Sequence, residues 1–135
     1  MHNVLQFDYE DVDGLRVIKC LGLGAKLCSD RTWSYEKIIF ILADRSALVI
    51  SVTKDTDELI FDRTFGVSNF LGRGGSRARH LDLNIVELGW CWIGTNWRGY
   101  KDMLVIGSGG IEPNLMFVAQ ASMINFYEIR PLLKE

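Results

Sequence analysis

Metal-binding and disulfide patterns are missing from this sequence. Histidine occurs twice in 135 residues, at His2 and His80, and neither an H-x-x-x-H nor a C-x-x-C motif is present. Structural zinc sites need four Cys or His ligands at short spacings, so we predict no metal and no other cofactor. Cys20, Cys28 and Cys91 are an odd number at wide spacing, which argues against a disulfide framework and favours free thiols in a reducing cytosol.

Long apolar runs and a strong charge of one sign are also missing. No run approaches the roughly 20 apolar residues that a membrane helix requires. The beginning of the chain is acidic rather than basic, so we expect no signal peptide and no membrane contact. The net charge of −2 gives no long-range attraction to nucleic acid or anionic lipid. We therefore expect a cytoplasmic protein.

Proline is scarce. Two prolines stand against thirteen glycines, and β-branched and aromatic residues are common, which is typical of strand-rich folds with many turns. A chain of this length forms one domain and buries roughly two thirds of its unfolded surface, so it needs no metal or disulfide for stability. We predict a single β-rich domain over residues 1–135.

Alternating and short apolar runs predict the strands. A short run that is apolar throughout, as at 37–42, suits a central strand covered on both faces. Residues 23–34 have the composition of a loop, and 81–88 favour a short helix or turn, with a strand as the alternative. The predicted strands are 15–21, 37–42, 47–53, 58–61, 90–97, 101–107, 115–119 and 122–129.

Two stretches of the chain have the same order of features. Residues 14–61 and 89–129 each run glycine, strand, tyrosine, strand, turn, strand, and a Gly/Arg loop at 62–80 joins them. Duplication explains this order, and so does similar strand patterning without duplication. We predict a mainly β fold, with β-rich α+β as the alternative. Two antiparallel meanders would form a sandwich or a barrel-like sheet, with one or two short helices.

Glycine and arginine are concentrated at residues 72–79. Arg73, Arg77 and Arg79 beside a glycine-rich backbone are suited to a phosphate or an RNA backbone. The stretch lacks the Lys-Ser/Thr of a Walker loop, so no nucleotide fingerprint is present. A solvated loop is the plainer interpretation, and a loop that orders on a partner lies between the two.

Three of the four tryptophans lie in residues 87–108. We interpret Trp90, Trp92 and the run 103–106 as the core of the second meander, with a binding face as the alternative for the two tryptophans.

The predicted turn at 96–101 carries Trp97, Arg98 and Tyr100. Trp, Tyr and Arg are the residue types enriched in binding hot spots, so these three are candidate contact residues. The acidic turn at 55–58 is by default a solvated turn, and its second interpretation is a surface that attracts a basic protein.

The last third of the chain combines Trp, Gly and Tyr residues with two following strands. It resembles small uncharacterised bacterial domains, and it is similar in style to the immunity proteins that neutralise toxins, which are small, cytosolic, acidic, β-rich and without catalytic motifs. The resemblance implies tight association with a toxin domain and assigns no functional residue. The residues that carry it are Gly89, Trp90, Trp92, Asn96, Gly99, Tyr100 and Asp102.

We expect a non-catalytic, cytosolic protein-binding module of the immunity or inhibitor type, with another protein as its partner. One alternative is a nucleotide or nucleic-acid binder that uses residues 72–79. A second is a ligand-binding or enzymatic β-scaffold with a polar pocket at Asp102, Glu87 or His80, and a homodimer is also open. No catalytic or metal-binding residue is predicted, and the candidate binding residues are Trp97, Arg98, Tyr100, Arg73, Arg77 and Arg79.

Overall fold

The computed structural model describes residues 3–66 and 78–132. Within these ranges the chain forms eleven strands and a single-turn 3-10 helix, Tyr9–Asp11, which confirms a mainly β fold. The strands are β1 (Val17–Leu23), β2 (Lys26–Leu27), β3 (Trp33–Ser34), β4 (Lys37–Leu42), β5 (Ala47–Val52), β6 (Leu59–Thr64), β7 (Arg79–His80), β8 (Leu88–Gly94), β9 (Met103–Ser108), β10 (Pro113–Gln120) and β11 (Met123–Glu128).

Two predictions about the connecting segments are wrong. β2 and β3 form a hairpin within the predicted loop 23–34, and β7 pairs with β1 within the predicted loop 62–80. These strands have two residues each, too few for an alternating pattern to appear in the sequence. For residues 81–88, predicted as a short helix or turn with a strand as the alternative, the structure has no helix. The Ile85 amide donates to the Leu83 carbonyl in a tight turn, Glu87 makes an isolated antiparallel bridge to Arg16, and Leu88 begins β8.

Two antiparallel sheets face each other as a sandwich and do not close into a barrel. The first sheet has the order β6-β5-β4-β1-β7, and the second has the order β11-β10-β9-β8. The strands of the second sheet are therefore joined in sequence as a meander, as predicted. Whether the two halves arose by duplication stays a prediction.

The core lies between the two sheets. Phe40 of β4 meets Phe117 of β10 in an edge-to-face contact, with ring centroids 5.7 Å apart and an interplanar angle of 67°. Both side chains are fully buried. Burying a side chain of this size contributes about 1.5–3 kcal/mol, and the edge-to-face geometry adds about 0.5–1.5 kcal/mol.

The outer face of the first sheet is apolar as well. Leu21, Ile39 and Ala47 form a second buried cluster on that face, separate from the core between the sheets. Because Ile38 and Phe40 point into the core on either side of Ile39, β4 is buried on both faces, as its apolar run predicts.

The turn between β10 and β11 has an unfavourable backbone conformation. Gln120 pairs with Met123, and the two residues between them, Ala121 and Ser122, have φ of 51° and 64°. Two positive φ values are the geometry of a type I′ turn, which favours Asn-Gly. The Ser122 amide donates a hydrogen bond of 2.7 Å to Asp57 Oδ1, so a contact with the other sheet holds the turn.

Replacing this turn by Asn-Gly (Ala121→Asn with Ser122→Gly) should stabilise the protein. A non-glycine residue in the left-handed region costs roughly 1–2 kcal/mol, partly offset by the flexibility of glycine in the unfolded chain. We expect a gain of about 1 kcal/mol, measured as a higher urea midpoint at an unchanged m-value. Ala25→Gly is the control, because Ala25 is exposed without a positive φ, and it should lower the midpoint. An unchanged or lower midpoint for the Asn-Gly variant would contradict the strained turn.

Candidate functional site

The loop that joins β8 to β9, residues 95–102, is organised by the Asn96 side chain. Asn96 Oδ1 accepts hydrogen bonds from the amides of Arg98 at 2.9 Å and Tyr100 at 3.2 Å. Asn96 Nδ2 donates to Asp102 Oδ2 at 3.0 Å. The Asn96 amide also donates to the Tyr100 carbonyl, and Gly99 has a φ of 89° that suits glycine. We call this segment the aromatic loop.

The aromatic loop presents the three predicted contact residues together. Trp97 is 87% exposed, and Tyr100 lies at the border between exposed and half-buried. The Arg98 guanidinium lies 4.8 Å from the centroid of the Trp97 ring, which is within the range of a cation–π contact. The structure therefore brings Trp97, Arg98 and Tyr100 onto one short, hydrogen-bonded segment.

The aromatic loop is also fixed to the first sheet. The Lys101 amide donates to Glu58 Oε2 at 3.1 Å, and the Leu59 amide donates to the Lys101 carbonyl at 3.0 Å. The acidic turn 55–58 consequently lies next to the loop. Contacts with both sheets leave little freedom at the base of the loop.

The prediction that Trp90 and Trp92 lie in the core is wrong for Trp90, and Trp92 is not fully buried either. Trp90 is 57% exposed and Trp92 is half-buried, with their ring centroids 6.2 Å apart. The sequence shows that the two rings share a face, but alternation alone does not tell which face points inward. Within the run 103–106, Leu104 and Ile106 are core residues as predicted, whereas Met103 and Val105 are not.

A bulge in β8 accompanies this outward placement. The register between β8 and β9 shifts between Leu88 and Cys91, and the Trp90 amide donates to the Gly110 carbonyl at 2.9 Å. A Cβ atom on Gly89 would lie 2.5 Å from that carbonyl oxygen, so only glycine allows the two segments to approach this closely.

The outer face of the second sheet carries no charge from its strands. In β8–β11, residues whose side chains face the core alternate with an outer set whose side chains face away from it. Glu128 is the one charged residue in these four strands, and it does not belong to the outer set because it pairs with the core residue Leu115. We call the outer set the uncharged face. It comprises Trp90, Trp92, Gly94, Met103, Val105, Met116, Val118, Gln120, Met123, Asn125 and Tyr127.

Two rows of residues cross the uncharged face. The first row consists of paired residues on the four neighbouring strands, in the order Trp92, Val105, Met116 and Tyr127. The second row is Gly94, Met103, Val118 and Asn125. The sequence contains a pattern that indicates this face. In β9 and β10 the apolar residues occupy both the inward-facing and the outward-facing positions, and three of the four methionines lie on the outer face. The prediction of a core position for Trp90, Trp92 and the run 103–106 took part of this pattern for the core.

The predicted arginine group is only partly within the described structure. Arg73 and Arg77 lie outside the described residues. Arg79 lies in β7 at an edge of the first sheet, and its guanidinium is 4.1 Å from the centroid of the Trp33 ring. Arg79 and the aromatic loop are thus on different sheets, and nucleic-acid binding through 72–79 stays a prediction.

His80 lies beside a small cavity but not beside a nucleophile. The cavity measures about 150 Å³ and is also lined by Cys20 and Asp82. In the pairing of β1 with β7, His80 is opposite Leu21, so the neighbouring Cys20 projects to the other face of the sheet. Burial raises the pKa of the Cys20 thiol to about 12, so the thiol stays protonated at neutral pH.

The three residues named as alternatives for a polar pocket lie on different elements. Asp102 belongs to the aromatic loop, Glu87 is exposed before β8, and His80 is in β7. Among residues 3–66 and 78–132, no group of three or more His, Cys, Asp or Glu is placed to hold a metal ion. No helix in the same ranges is long and apolar enough to span a membrane.

Comparison with known proteins gives one match. A family of unknown function (DUF6334) matches residues 1–132 of the chain. Neither the curated proteins nor the solved structures that were searched gave a match.

The Asn96–Asp102 contact gives a pH-dependent test of the aromatic loop. Asn96→Asp would place two carboxylates at hydrogen-bonding distance, and like charges raise the pKa of such a pair above that of the unfolded chain, about 3.9. We expect the variant to lose about 1–2 kcal/mol of unfolding free energy at pH 7, and to recover much of it as the pH falls through about 5 to 4. Urea unfolding across this pH range measures the difference from the wild type.

Asn96→Ala is the matched neutral control for that experiment. It removes the hydrogen bond to Asp102 without adding a charge, and it also removes the two that Asn96 Oδ1 accepts. Its loss of stability should therefore not change with pH in this range. An Asn96→Asp deficit that is equally independent of pH would contradict the contact with Asp102.

The thiols should differ in reactivity. Burial raises the pKa of Cys91, like that of Cys20, to about 12, and the thiolate is the reactive form. At pH 8 we expect a thiol reagent to modify Cys28 in the folded protein. Buried Cys20 and half-buried Cys91, whose thiols stay protonated, should react much more slowly until the protein unfolds. Mass spectrometry of the digested protein measures the sites of labelling, and Cys20→Ser and Cys91→Ser should leave the rapid labelling of Cys28 unchanged. Native labelling of Cys20 or Cys91 as rapid as that of Cys28 would contradict the raised pKa of their thiols.

Proposed function

We propose that this chain, which belongs to the DUF6334 family, is a non-catalytic protein-binding module of the inhibitor or immunity type. Its contact site would be the aromatic loop. The observation that carries the proposal is Trp97, which is 87% exposed on a loop whose backbone is fixed by the Asn96 side chain.

The composition of the loop supports a binding role. An exposed tryptophan offers a large apolar surface to a partner, and Trp, Tyr and Arg dominate measured binding hot spots. Arg98 over the ring of Trp97 adds a donor group at the edge of the apolar surface. Tyr100 contributes a second aromatic ring with a hydroxyl group.

The rigidity of the loop supports a tight rather than a weak contact. Binding costs free energy when a flexible segment must be ordered, and a segment that is already held avoids much of that cost. The hydrogen bonds that Asn96 Oδ1 accepts within the loop, and those that the Lys101 and Leu59 amides donate at its base, hold the backbone before any partner arrives.

The adjacent acidic turn indicates the chemistry of the partner. Asp55, Asp57 and Glu58 lie in the turn that contacts the base of the aromatic loop. A partner with a basic surface beside an apolar pocket would be attracted by this turn and would accept Trp97. A nucleic-acid-binding or nucleic-acid-cleaving toxin domain has such a basic surface.

Capture of a partner tests the proposal. Affinity-tagged protein should retain a specific partner from a lysate of its own cells, and the purified pair should bind with an affinity that Trp97→Ala lowers by at least about 30-fold, measured by titration calorimetry. Because Trp97 is exposed, the same change should alter the free energy of unfolding by less than about 0.5 kcal/mol. Trp33→Ala, which removes an exposed tryptophan elsewhere, is the control and should bind normally. Full affinity of Trp97→Ala would show that the loop is not the contact site.

A further inference from the structure

We infer that the uncharged face is the interface between two copies of this chain. The inference goes beyond the proposed function, because it concerns another surface with another occupant. It depends on the composition of β8–β11 and on the exposure of the side chains they direct outward.

The composition of the face is unusual for a surface in water. Two tryptophans, three methionines, two valines and a tyrosine cover one side of a four-stranded sheet, and the four strands add no Asp, Glu, Lys or Arg to that side. Surface sheet faces of antiparallel proteins ordinarily carry polar side chains. Depletion of charge together with enrichment of aromatic residues and methionine is the signature of the buried centre of an interface.

Exposure shows that the face is open at both ends of its first row, Trp92 to Tyr127. Trp90, whose ring lies beside that of Trp92, is 57% exposed, and Tyr127 at the opposite end is 44% exposed. The outer face of the first sheet is different. Its central residues Ile39 and Ala47 are fully buried, and its β1 and β4 strands place Lys19 and Lys37 around them.

The absence of charge points to a second copy as the occupant. In a two-fold symmetric interface the same patch meets itself, so any charge near the axis meets a like charge. A face without charges avoids this repulsion, and the whole chain carries only −2. A distinct charged partner would instead be recognised by complementary charges, which these strands do not provide.

The shape of the face suits such pairing. Two sheet faces pack at a separation of about 10 Å when their side chains interdigitate. Met103, Met116 and Met123 have flexible, unbranched side chains that adapt to a facing surface. Gly94 has no side chain, and Met103 fills the space beside it, since a Cβ atom on Gly94 would lie 2.9 Å from Met103 Cβ.

The oligomeric state in solution tests the inference. Sedimentation equilibrium of the full chain should give twice the mass of one chain, with a dissociation constant that does not rise between about 0.05 M and about 0.5 M salt, because screening weakens only charged contacts. Met116→Lys in the centre of the face and Trp90→Lys near its end should each weaken dimerisation by at least about 100-fold. Circular dichroism and the melting temperature confirm that the variants remain folded.

Ile18→Lys is the matched control, because Ile18 is an exposed apolar residue on β1 of the first sheet. It should leave the dimer intact. A monomeric wild type at about 0.1 mM would overturn the inference, as would dimers that persist in both folded lysine variants or that salt dissociates. A monomer that co-sediments with neutral phosphatidylcholine vesicles would identify lipid as the occupant instead and would equally overturn it. None of these results depends on Trp97, so failure of the dimer inference would not contradict the proposed partner contact, which the Trp97→Ala experiment tests separately.

Discussion

The contact between Phe40 and Phe117 lies where the two sheets meet, and burial at this position determines which side chains of β4 and β10 face away from the core. In an extended strand, fixing one side chain in the core sends its two neighbours to the opposite face. The core positions on β9 and β10 therefore place Met103, Val105 and Met116 outside. The unusual outer surface is a direct consequence of the register that forms the core.

Sequence patterns predicted the strands well because apolar alternation is a local property. The runs that became β4, β5, β9 and β11 are each long enough for the pattern to appear. The two-residue strands β2 and β3, which pair with each other, are too short for it, and β7 is fixed by pairing with the distant strand β1. Local alternation also could not decide which face of β8 is buried. Trp90 was assigned inward because tryptophan is a common core residue, but Leu88 and Cys91 occupy the core side, on either side of a bulge.

The candidate site was predictable in composition but not in its supporting contacts. The sequence indicated the site because a predicted turn carries three residues of the types enriched in binding hot spots, Trp97, Arg98 and Tyr100. Nothing in the spacing indicated that Asn96 would hold the turn or that Glu58, 43 residues before Lys101, would fix its base. Such contacts depend on how the two sheets pack, which is a long-range property. The loop 62–80 was singled out by its arginines, and Arg79 instead lies in a strand against Trp33.

The β8–β9 hairpin connects the two proposals physically. Its strands contribute Trp90, Trp92 and Met103 to the uncharged face, and its turn is the aromatic loop. Two-fold pairing through the face would fix two such loops in one rigid body, each held by its own Asn96. A partner with two equivalent sites could then engage both loops, and the second contact would form at a high effective concentration. Loss of dimerisation would in that case weaken binding to a dimeric partner far more than binding to a monomeric one, although no residue of the loop has changed.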